Sequence, residues 1–339
     1  MWLPRLPKIR RGTKKRKMTL QEIGRCHPKQ KVAGTRGVGV GIGVTGRTTK
    51  GCLPSSVYST VKRSRRGGKG ERDDGKKGAN GAKGANGANG ANGANGANGA
   101  NGASVYGKVG CAEDADHCLL DNVSLSDDKK KALRRAYLRP RRPKEWQKKP
   151  NQWLDNFNIQ HVMEQYEEAY LWFHFIGVFP IDFSAPDPYQ KQMVNKGQQT
   201  CLNRELCELN LQKEYDRGIR GIGMVFNLDP HYKGGSHWVA LWIDLSDLEK
   251  GRAMAGFFDS YGYETPPMIA RFMRSLQLQV KECVLGYNAR RFQYGGSECG
   301  MFSLYFLICM IHGIPFEEFC KDALHDRSML ELRSVLFGA

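Results

Sequence analysis

The sequence predicts an α+β domain behind a long basic tail, and three observations support this prediction. Apolar stretches rich in β-branched and aromatic residues, typical of strands, occur at residues 221–228, 237–245 and 255–262. Stretches with helical spacing lie before and after them. The chain from residue 150 to 339 is long enough to bury a hydrophobic core of its own. Consecutive strands with helical pieces around them indicate a mixed sheet flanked by helices.

The first predicted helix begins near Ser126, whose hydroxyl can cap free N–H groups. Asp127 and Asp128 follow in its first turn, and Pro140 stops it. A second helix follows Trp153, where apolar residues recur at roughly helical spacing. They are Leu154, Phe157, Val162, Met163 and Tyr166. Two more helices are predicted at 267–278 and 299–311, on either side of the last turn region.

The sequence divides into three parts. Residues 1–104 form a basic, Gly-rich low-complexity tail, in which a Gly-Ala-Asn repeat runs from 78 to 103. This tail is predicted to be disordered, and the repeat to act as a flexible spacer. Residues 105–145 are a helical lead-in arm, and residues 146–339 form the main domain.

Charge is distributed unevenly along the chain. Residues 1–150 contain 35 Lys and Arg against 11 Asp and Glu, whereas residues 151–339 contain 17 against 23. Such a tail favours a nucleic acid or another polyanion as partner, with the basic clusters at 10–17 and 62–69 contacting phosphates. The alternative is a solvated tail without a partner.

Nothing in the sequence indicates an oxidising compartment or a membrane. The ten cysteines are far below the density of a disulfide scaffold. The first residues lack the apolar core of a secretory signal, and the longest apolar stretch, residues 301–311, is too short to cross a bilayer. We therefore expect a soluble intracellular protein.

A cysteine at a predicted helix start is the first candidate for chemistry. Cys299 follows Gly-Gly-Ser-Glu and precedes a strongly apolar run. Unpaired N–H groups and the positive end of the helix dipole stabilise a thiolate at such a position. The alternative is a buried structural cysteine, so the choice depends on partners elsewhere in the chain.

Two of those partners are found at the ends of predicted strands. His237 begins one strand after a glycine-containing loop, and Asp259 ends the next apolar run. The Asp259 carboxylate can hold the His237 imidazole in one tautomer, as a nucleophile–base–acid triad requires.

A third partner lies just before the cysteine. Gln293 can donate an amide N–H, together with the backbone N–H of Cys299, to the oxyanion of a tetrahedral intermediate. Gly295 and Gly296 are expected to let the backbone turn tightly and approach a substrate.

The order His, Asp, Gln, Cys excludes a papain-like arrangement, in which the cysteine comes first. It resembles the SUMO-deconjugating and adenovirus-type cysteine proteases, whose pattern is a His-Trp pair, an Asp after the next strand, and a Gln shortly before Cys-Gly. The matching residues are His237-Trp238, Asp259, Gln293 and Cys299-Gly300. The resemblance runs from about residue 146 to the C-terminus, including Trp153-Leu154 before the first helix of the domain. It looks closest to processing proteases of large cytoplasmic DNA viruses, such as that of African swine fever virus.

The resemblance implies an α+β cysteine protease fold and cleavage after Gly-Gly in an extended peptide, for example in viral structural polyproteins during virion maturation. Trp238, Trp153, Gly295 and Gly296 are the expected substrate-binding residues, because an indole beside the base can roof a tunnel that admits only glycines. The implied location is the host cytoplasm and the virion. No cofactor is expected.

A metal site is not expected either. The pairs Cys111/Cys118 and Cys201/Cys207 lack CxxC spacing, so they give little support for zinc.

Other functions stay open at this point. The same chemistry on an isopeptide bond would make a deconjugase for ubiquitin-like modifiers, and related enzymes include acetyltransferases with a similar triad. A structural nucleic-acid-binding protein with an inert protease fold is a further alternative. The tail is not part of the family pattern, and its Gly67-Gly68-Lys69 offers a site for self-cleavage after Gly68.

Overall fold

A computed structural model of the chain describes residues 17–30, 51–64, 105–186 and 201–339. The Gly-Ala-Asn repeat at 78–103, the self-cleavage site after Gly68 and most of both basic clusters lie outside the described residues. The strand and helix bounds below refer to the described ranges.

A mixed five-stranded sheet forms the centre of the main domain. Its strands are β1 (Phe173–Pro180), β2 (Gly221–Asn227), β3 (Trp238–Asp244), β4 (Arg252–Phe258) and β5 (Glu282–Tyr287), and they lie side by side in chain order. The outer pairs β1–β2 and β4–β5 are parallel, while β2–β3 and β3–β4 are antiparallel. This arrangement confirms the predicted mixed sheet flanked by helices.

The α-helices surround this sheet and extend the chain on its N-terminal side. They are α1 (Leu20–Ile23), α2 (Ser55–Ser64), α3 (Asp116–Asp121), α4 (Asp127–Tyr137), α5 (Asn156–Ala169), α6 (Arg204–Cys207), α7 (Leu211–Asp216), α8 (Pro267–Gln279), α9 (Cys299–Ile311), α10 (Phe316–Lys321) and α11 (Asp326–Leu336). None of them is long and apolar enough to span a membrane.

Both faces of the sheet are buried, because side chains on each strand alternate between two cores. On β3, Ala240 and Trp242 belong to the core shared with α5 and α9, whereas Leu241 and Ile243 belong to the core shared with α8. A strand buried on both faces has no polar side, which explains the nearly continuous apolar sequence of β2 and β3.

Helix α9 is the central helix of the domain. All thirteen of its residues are buried, and it packs against β3 and α5. The helix is apolar on every side because protein surrounds it. The first residue of this helix, Cys299, is therefore fixed by the rigid part of the fold.

The prediction of a disordered tail over residues 1–104 is wrong for two described segments. In α2, Val57, Tyr58 and Val61 are buried in a small core with residues of the 105–138 region. The short helix α1 begins with a capping box between Thr19 and Glu22. The glycine-rich composition of the tail as a whole concealed this helical spacing of apolar residues.

Lys17 also differs from the prediction that its basic cluster contacts phosphates. Its ammonium lies 4.4 Å from the ring centroids of both Phe292 and Phe319. Burial, the largest effect, lowers the pKa of Lys17 to about 8. This lysine belongs to the domain core and not to a free basic arm.

The structure contains disulfides, which the low cysteine density of the sequence did not indicate. Six cysteines form the disulfides Cys26–Cys52, Cys111–Cys118 and Cys201–Cys207. The Cα atoms of each pair lie 5.3 to 6.4 Å apart, which is the spacing a disulfide needs. The first of them joins the two described segments of the predicted tail.

The predicted elements of the main domain agree with the structure to within a few residues, but helices α6, α7, α10 and α11 and two strands were not predicted. Helix α9 has its predicted bounds, β2 and α8 differ from theirs by one residue at one end, and β3 differs by one residue at each end. Strand β4 lies three residues earlier than predicted at its start and four at its end. Strands β1 and β5 were not predicted, and both are edge strands of the sheet.

Candidate active site

His237 stands immediately before β3, where the loop from β2 returns to the sheet. Its backbone oxygen accepts from the N–H of Leu228, at 2.9 Å, which closes the ladder between the two strands. Its side chain is buried, with 9% of its surface exposed. The imidazole is therefore held at the edge of the core and is not a free surface group.

Asp259 reaches His237 because β3 and β4 are antiparallel. Their register pairs Ala240 with Phe258, so the residues just before β3 lie beside those just after β4. Nε2 of His237 lies 2.7 Å from Oδ1 of Asp259. The same carboxylate oxygen accepts the backbone N–H of Tyr261 at 2.8 Å.

The backbone around Asp259 is fixed by a single amide side chain. Asn288 accepts the N–H of Asp259 at 2.7 Å and donates to the carbonyl of Asp259 at 2.7 Å. Asn288 is fully buried. The position of the Asp259 carboxylate thus depends on Asn288 as well as on the strand.

Cys299 completes the group from the other side of His237. It is the first residue of α9 and only 2% exposed, and the interaction of its side chain with His237 raises the pKa of that imidazole. Since Nε2 of the imidazole faces Asp259, Nδ1 is the nitrogen left for the sulfur. The helix start points its free N–H groups and positive dipole end at this sulfur.

The environment of His237 favours the imidazolium. Burial of the ring lowers its pKa, but the hydrogen bonds to Asp259 and Cys299 and their negative charges act in the opposite direction and raise it to about 9. At neutral pH the ring is thus protonated and can stabilise an adjacent thiolate. The three side chains can support nucleophilic attack and proton transfer to a leaving amine.

Gln293 is buried beside this group, and its amide already has partners. Its Oε1 accepts from the Ser260 hydroxyl at 2.7 Å, while its Nε2 donates to the Gly295 carbonyl at 2.7 Å and to the Tyr261 hydroxyl at 3.2 Å. The Oε1 bond fixes the orientation of the amide. To act on an oxyanion, Nε2 must give up its longer bond, to Tyr261.

Tyr261 is a residue of the site that sequence reasoning missed. Its ring stacks on the His237 ring with centroids 4.8 Å apart, and its hydroxyl donates to the Gly295 carbonyl at 3.0 Å. Burial and then the charge of Cys299 raise its pKa. The strand register could have identified Tyr261. If the β3–β4 pairing is continued beyond its ends, position 261 lies opposite position 237.

A buried ion pair fixes the start of α9. The N-cap residue Glu298 accepts from Nε of Arg333 at 2.8 Å and from its Nη2 at 3.0 Å, and both side chains are at least 95% buried. Arg333 also lies over the Trp146 ring, 4.6 Å from its centroid. Because Glu298 precedes Cys299, this pair positions the nucleophile, and sequence reasoning did not find it.

Trp153 and Leu154 contact both the loop before Cys299 and the residue that follows His237. Trp153 donates its indole N–H to the Gly296 carbonyl at 2.8 Å, and Trp238 donates its own to the Leu154 carbonyl at 2.9 Å. Leu154 packs so closely on Gly300 that an added Cβ there would lie 3.0 Å from it. Trp153 remains 45% exposed beside the loop before Cys299, whereas Trp238 is only 8% exposed.

Gly295 and Gly296 do not need the conformational freedom that the sequence argument gave them, because neither has a positive φ. The N–H of Gly295 donates to Asp326 at 2.9 Å, which anchors the loop to α11. A Cβ on Gly296 would meet nothing within 4 Å. The expectation that these glycines are needed for a tight turn is thus not supported, and the expected approach to a substrate stays a prediction.

The cysteine pairs that were considered for zinc are disulfides, as described above. Within the described ranges, no group of three or more His, Cys, Asp or Glu side chains is arranged to hold a metal ion.

Comparison with known proteins finds relatives of this domain. The model of the Ulp1 protease family, C-terminal catalytic domain, matches residues 222–337. A thiol protease of Acanthamoeba polyphaga mimivirus is 30% identical over 197 residues, covering 56% of this chain and 58% of that protein. A cysteine protease of African swine fever virus is 24% identical over 190 residues, covering 54% of this chain and 67% of the relative.

The fold agrees with these matches. The crystal structure of the African swine fever virus protease superposes with a TM-score of 0.52 at 18% identity, over 68% of this chain and 84% of that one. The alignment with the mimivirus protein spans less than two thirds of that relative. The segment that brings His237, Asp259 and Cys299 together is therefore similar to the catalytic domain of the Ulp1 protease family and to viral cysteine proteases.

Proposed function

We propose that the chain is a cysteine endopeptidase that cleaves after Gly-Gly pairs in extended segments of viral structural polyproteins. The observation that carries the proposal is the contact of His237 with both Asp259 and Cys299 at the start of α9. In the proposed reaction the Cys299 thiolate attacks the scissile carbonyl, and the His237 imidazolium protonates the leaving amine. Water then hydrolyses the thioester with His237 as base, while Asp259 keeps the ring oriented.

The Gly-Gly preference is supported by the surroundings of the cysteine. Trp153 donates its indole N–H to the Gly296 carbonyl, and space is open at Gly296 itself. A substrate that lies alongside this indole and loop must come close to the backbone. Glycines at the scissile end fit such a passage, because they have no side chain.

The viral setting rests on the relatives, both of which are proteases of large DNA viruses. We propose the host cytoplasm and the virion as the places of action. The strongly basic sequence outside the described ranges would serve as a nucleic-acid tether, whose binding should weaken steeply as salt increases.

The test of substrate choice is a set of matched peptides, with Gly-Gly, Ala-Gly or Gly-Ala before a common following sequence. We expect mass spectrometry to find cleavage after Gly-Gly, and an alanine at either position to lower kcat/KM by roughly 10- to 200-fold, as one extra carbon does in a closely fitting site. Equal cleavage of all three peptides would contradict the proposed preference.

A deconjugase acting on ubiquitin-like modifiers is the second candidate, because one African swine fever virus relative is described as a SUMO-1 cysteine protease. SUMO and ubiquitin conjugates assayed beside the peptides distinguish the two. Turnover of a conjugate much faster than of any Gly-Gly peptide would favour the deconjugase.

Gln293→Ala tests the oxyanion role. We expect kcat on the Gly-Gly peptide to fall by about 10²-fold, with little change in KM, because the amide's hydrogen bond strengthens only as the oxyanion forms. Tyr261→Phe is the matched control, since it removes one partner of the amide but keeps the amide and the ring stacked on His237. We expect its kcat to stay within about tenfold of wild type. A change confined to KM in Gln293→Ala would assign this residue to substrate binding.

A further inference from the structure

A cavity lies away from the cysteine, between the helical arm and the main domain. It has a volume of about 810 Å³. The arm contributes Arg134, Arg135, Arg139 and Arg141, and α5 supplies the facing wall. A cavity of this size is in the range of small-molecule sites, and four arginines on one wall indicate an anionic ligand.

Arg139 is the unusual residue of this wall. Its side chain is 1% exposed, and no carboxylate lies within ion-pair distance in the described part of the chain. Its Nη2 donates to the carbonyls of Ile23 and Gly24 and to the Tyr166 hydroxyl. Its Nε and Nη1 have no hydrogen-bond partner among the described residues.

Glu168 in the cavity lining and Asp121 beside the cavity are already matched by other cations. Asp121 pairs with both Arg134 and Arg141. Glu168 pairs with Lys29 and Arg135, and the hydrogen bond from Lys29 is the main reason that its pKa is lowered. These acids leave the charge of Arg139 uncompensated.

The remaining acid of the lining, Glu164, forms no ion pair with Arg139 in the described part of the chain. Glu164 accepts from Gln160, its neighbour on α5, at 3.0 Å. His117 is 4% exposed and contacts the Arg139 carbonyl through Nε2, while its Nδ1 has no partner within the described ranges.

A buried cation without a counterion costs several kcal/mol, since burial removes its hydration. The cost is offset when an anion occupies the adjoining space. Phosphate groups suit arginine well, because their oxygens accept the paired N–H groups of a guanidinium.

We propose that the cavity formed by Arg139, His117 and the arginines of α4 binds a small multivalent phosphate compound, such as an inorganic polyphosphate or a phosphorylated metabolite. Arg139 is a buried arginine of the lining, and Arg135, whose side chain is 81% exposed, lies at the rim of the site. The cavity holds more than a single phosphate but is too small for a folded nucleic acid, which separates this site from the basic tail.

Calorimetric titration of the full chain with tripolyphosphate, at physiological ionic strength, tests the proposal. We expect one site per chain, and a dissociation constant at least tenfold weaker in Arg139→Gln. The charge-matched control is Arg327→Gln, because Arg327 is 89% exposed on α11 and does not line the cavity. Affinity should be unchanged in this control, although it removes the same charge from a chain whose basic tail also attracts anions.

Arg139 also supports the fold through Ile23 and Gly24, so circular dichroism must show that Arg139→Gln is folded. If it is not, the rim pair Arg135→Gln with Arg141→Gln is compared with Arg204→Gln plus Arg327→Gln, which removes equal charge elsewhere. Loss of affinity only in the rim pair supports the site. Equal loss in both pairs, or no binding by wild type, overturns it.

The source of the phosphate is decided in the same titrations. Inorganic phosphate, a polyphosphate and a short single-stranded oligonucleotide are compared in wild type and Arg139→Gln. Weakening of the polyphosphate alone, or of the polyphosphate and inorganic phosphate together, supports the proposal. If only the oligonucleotide loses affinity, the ligand is nucleic acid and the proposal fails.

Discussion

Cys299→Ala is expected to abolish peptide cleavage, with a loss in kcat of at least about 10⁴-fold, because no other group at this position can form the thioester. The side chain lies in a closely packed junction and is 2% exposed, so alanine leaves the fold intact at a modest cost in stability. The measurement is steady-state hydrolysis of the Gly-Gly peptide, with thermal unfolding recorded for each variant. Near-normal activity would show that Cys299 is not the nucleophile.

Cys283→Ala is the matched control for this experiment. Cys283 is also unpaired and buried, but it lies on β5 in the core on the opposite face of the sheet from α9. Burial raises the pKa of its thiol to about 11, so it is not a thiolate at neutral pH. We expect its activity to match that of wild type.

Alkylation adds a readout that does not need the correct substrate. Burial also raises the pKa of the other two unpaired cysteines, Cys309 to about 11 and Cys320 to about 12. Only Cys299 hydrogen-bonds an imidazole with a raised pKa. At neutral pH we expect iodoacetamide to label Cys299 first, and peptide mapping identifies the modified residue.

The sequence was sufficient for the parts of the site that depend on local pattern. The apolar run after Cys299 predicts α9, and the ends of two apolar stretches predict the positions of His237 and Asp259. The strands β3 and β4 are antiparallel and consecutive in the chain, like the two strands of a hairpin. His237 and Asp259 therefore come together through a local connection. The sequence left the role of each residue as a hypothesis, and the geometry agrees with that hypothesis without testing it.

What the sequence could not predict depends on contacts between distant parts of the chain. The pairing of Glu298 with Arg333 joins α9 to α11, and either residue alone is typical of a surface. Tyr261 becomes a partner of His237 only through the register of β3 and β4. The edge strands β1 and β5 are each shielded by helices, and their short apolar runs do not differ from buried helical segments in periodicity.

The N-terminal segments were missed for a different reason. Composition averaged over a long glycine-rich stretch hides two short ordered pieces, which are held by tertiary contacts. Tyr58 donates to the buried Asp116 at 2.9 Å, and Cys52 is linked to Cys26. Neither contact is visible in a local pattern, since each partner lies in a separate part of the chain.

Asp259→Asn is expected to lower kcat by about 10²- to 10⁴-fold while leaving the fold in place. The loop stays ordered because Asn288 holds the backbone of residue 259 on both sides. The amide removes the negative charge beside Nε2 of His237 and allows the wrong imidazole tautomer. Asp247→Asn is the matched control, since it removes the same charge from an exposed residue that pairs with Lys250 and Arg252.

The pH dependence separates a direct effect on His237 from a general loss of structure. In wild type, hydrolysis should decline as pH rises through about 9, where the imidazolium that protonates the leaving amine is lost. Alkylation of Cys299 needs no such proton, so its rate should not decline in that range. Removal of the Asp259 carboxylate takes away a contact that raises the pKa of His237, and the decline in hydrolysis must therefore move to lower pH. An unchanged profile with a reduced rate would mean that Asp259 supports the loop and does not act on the imidazole.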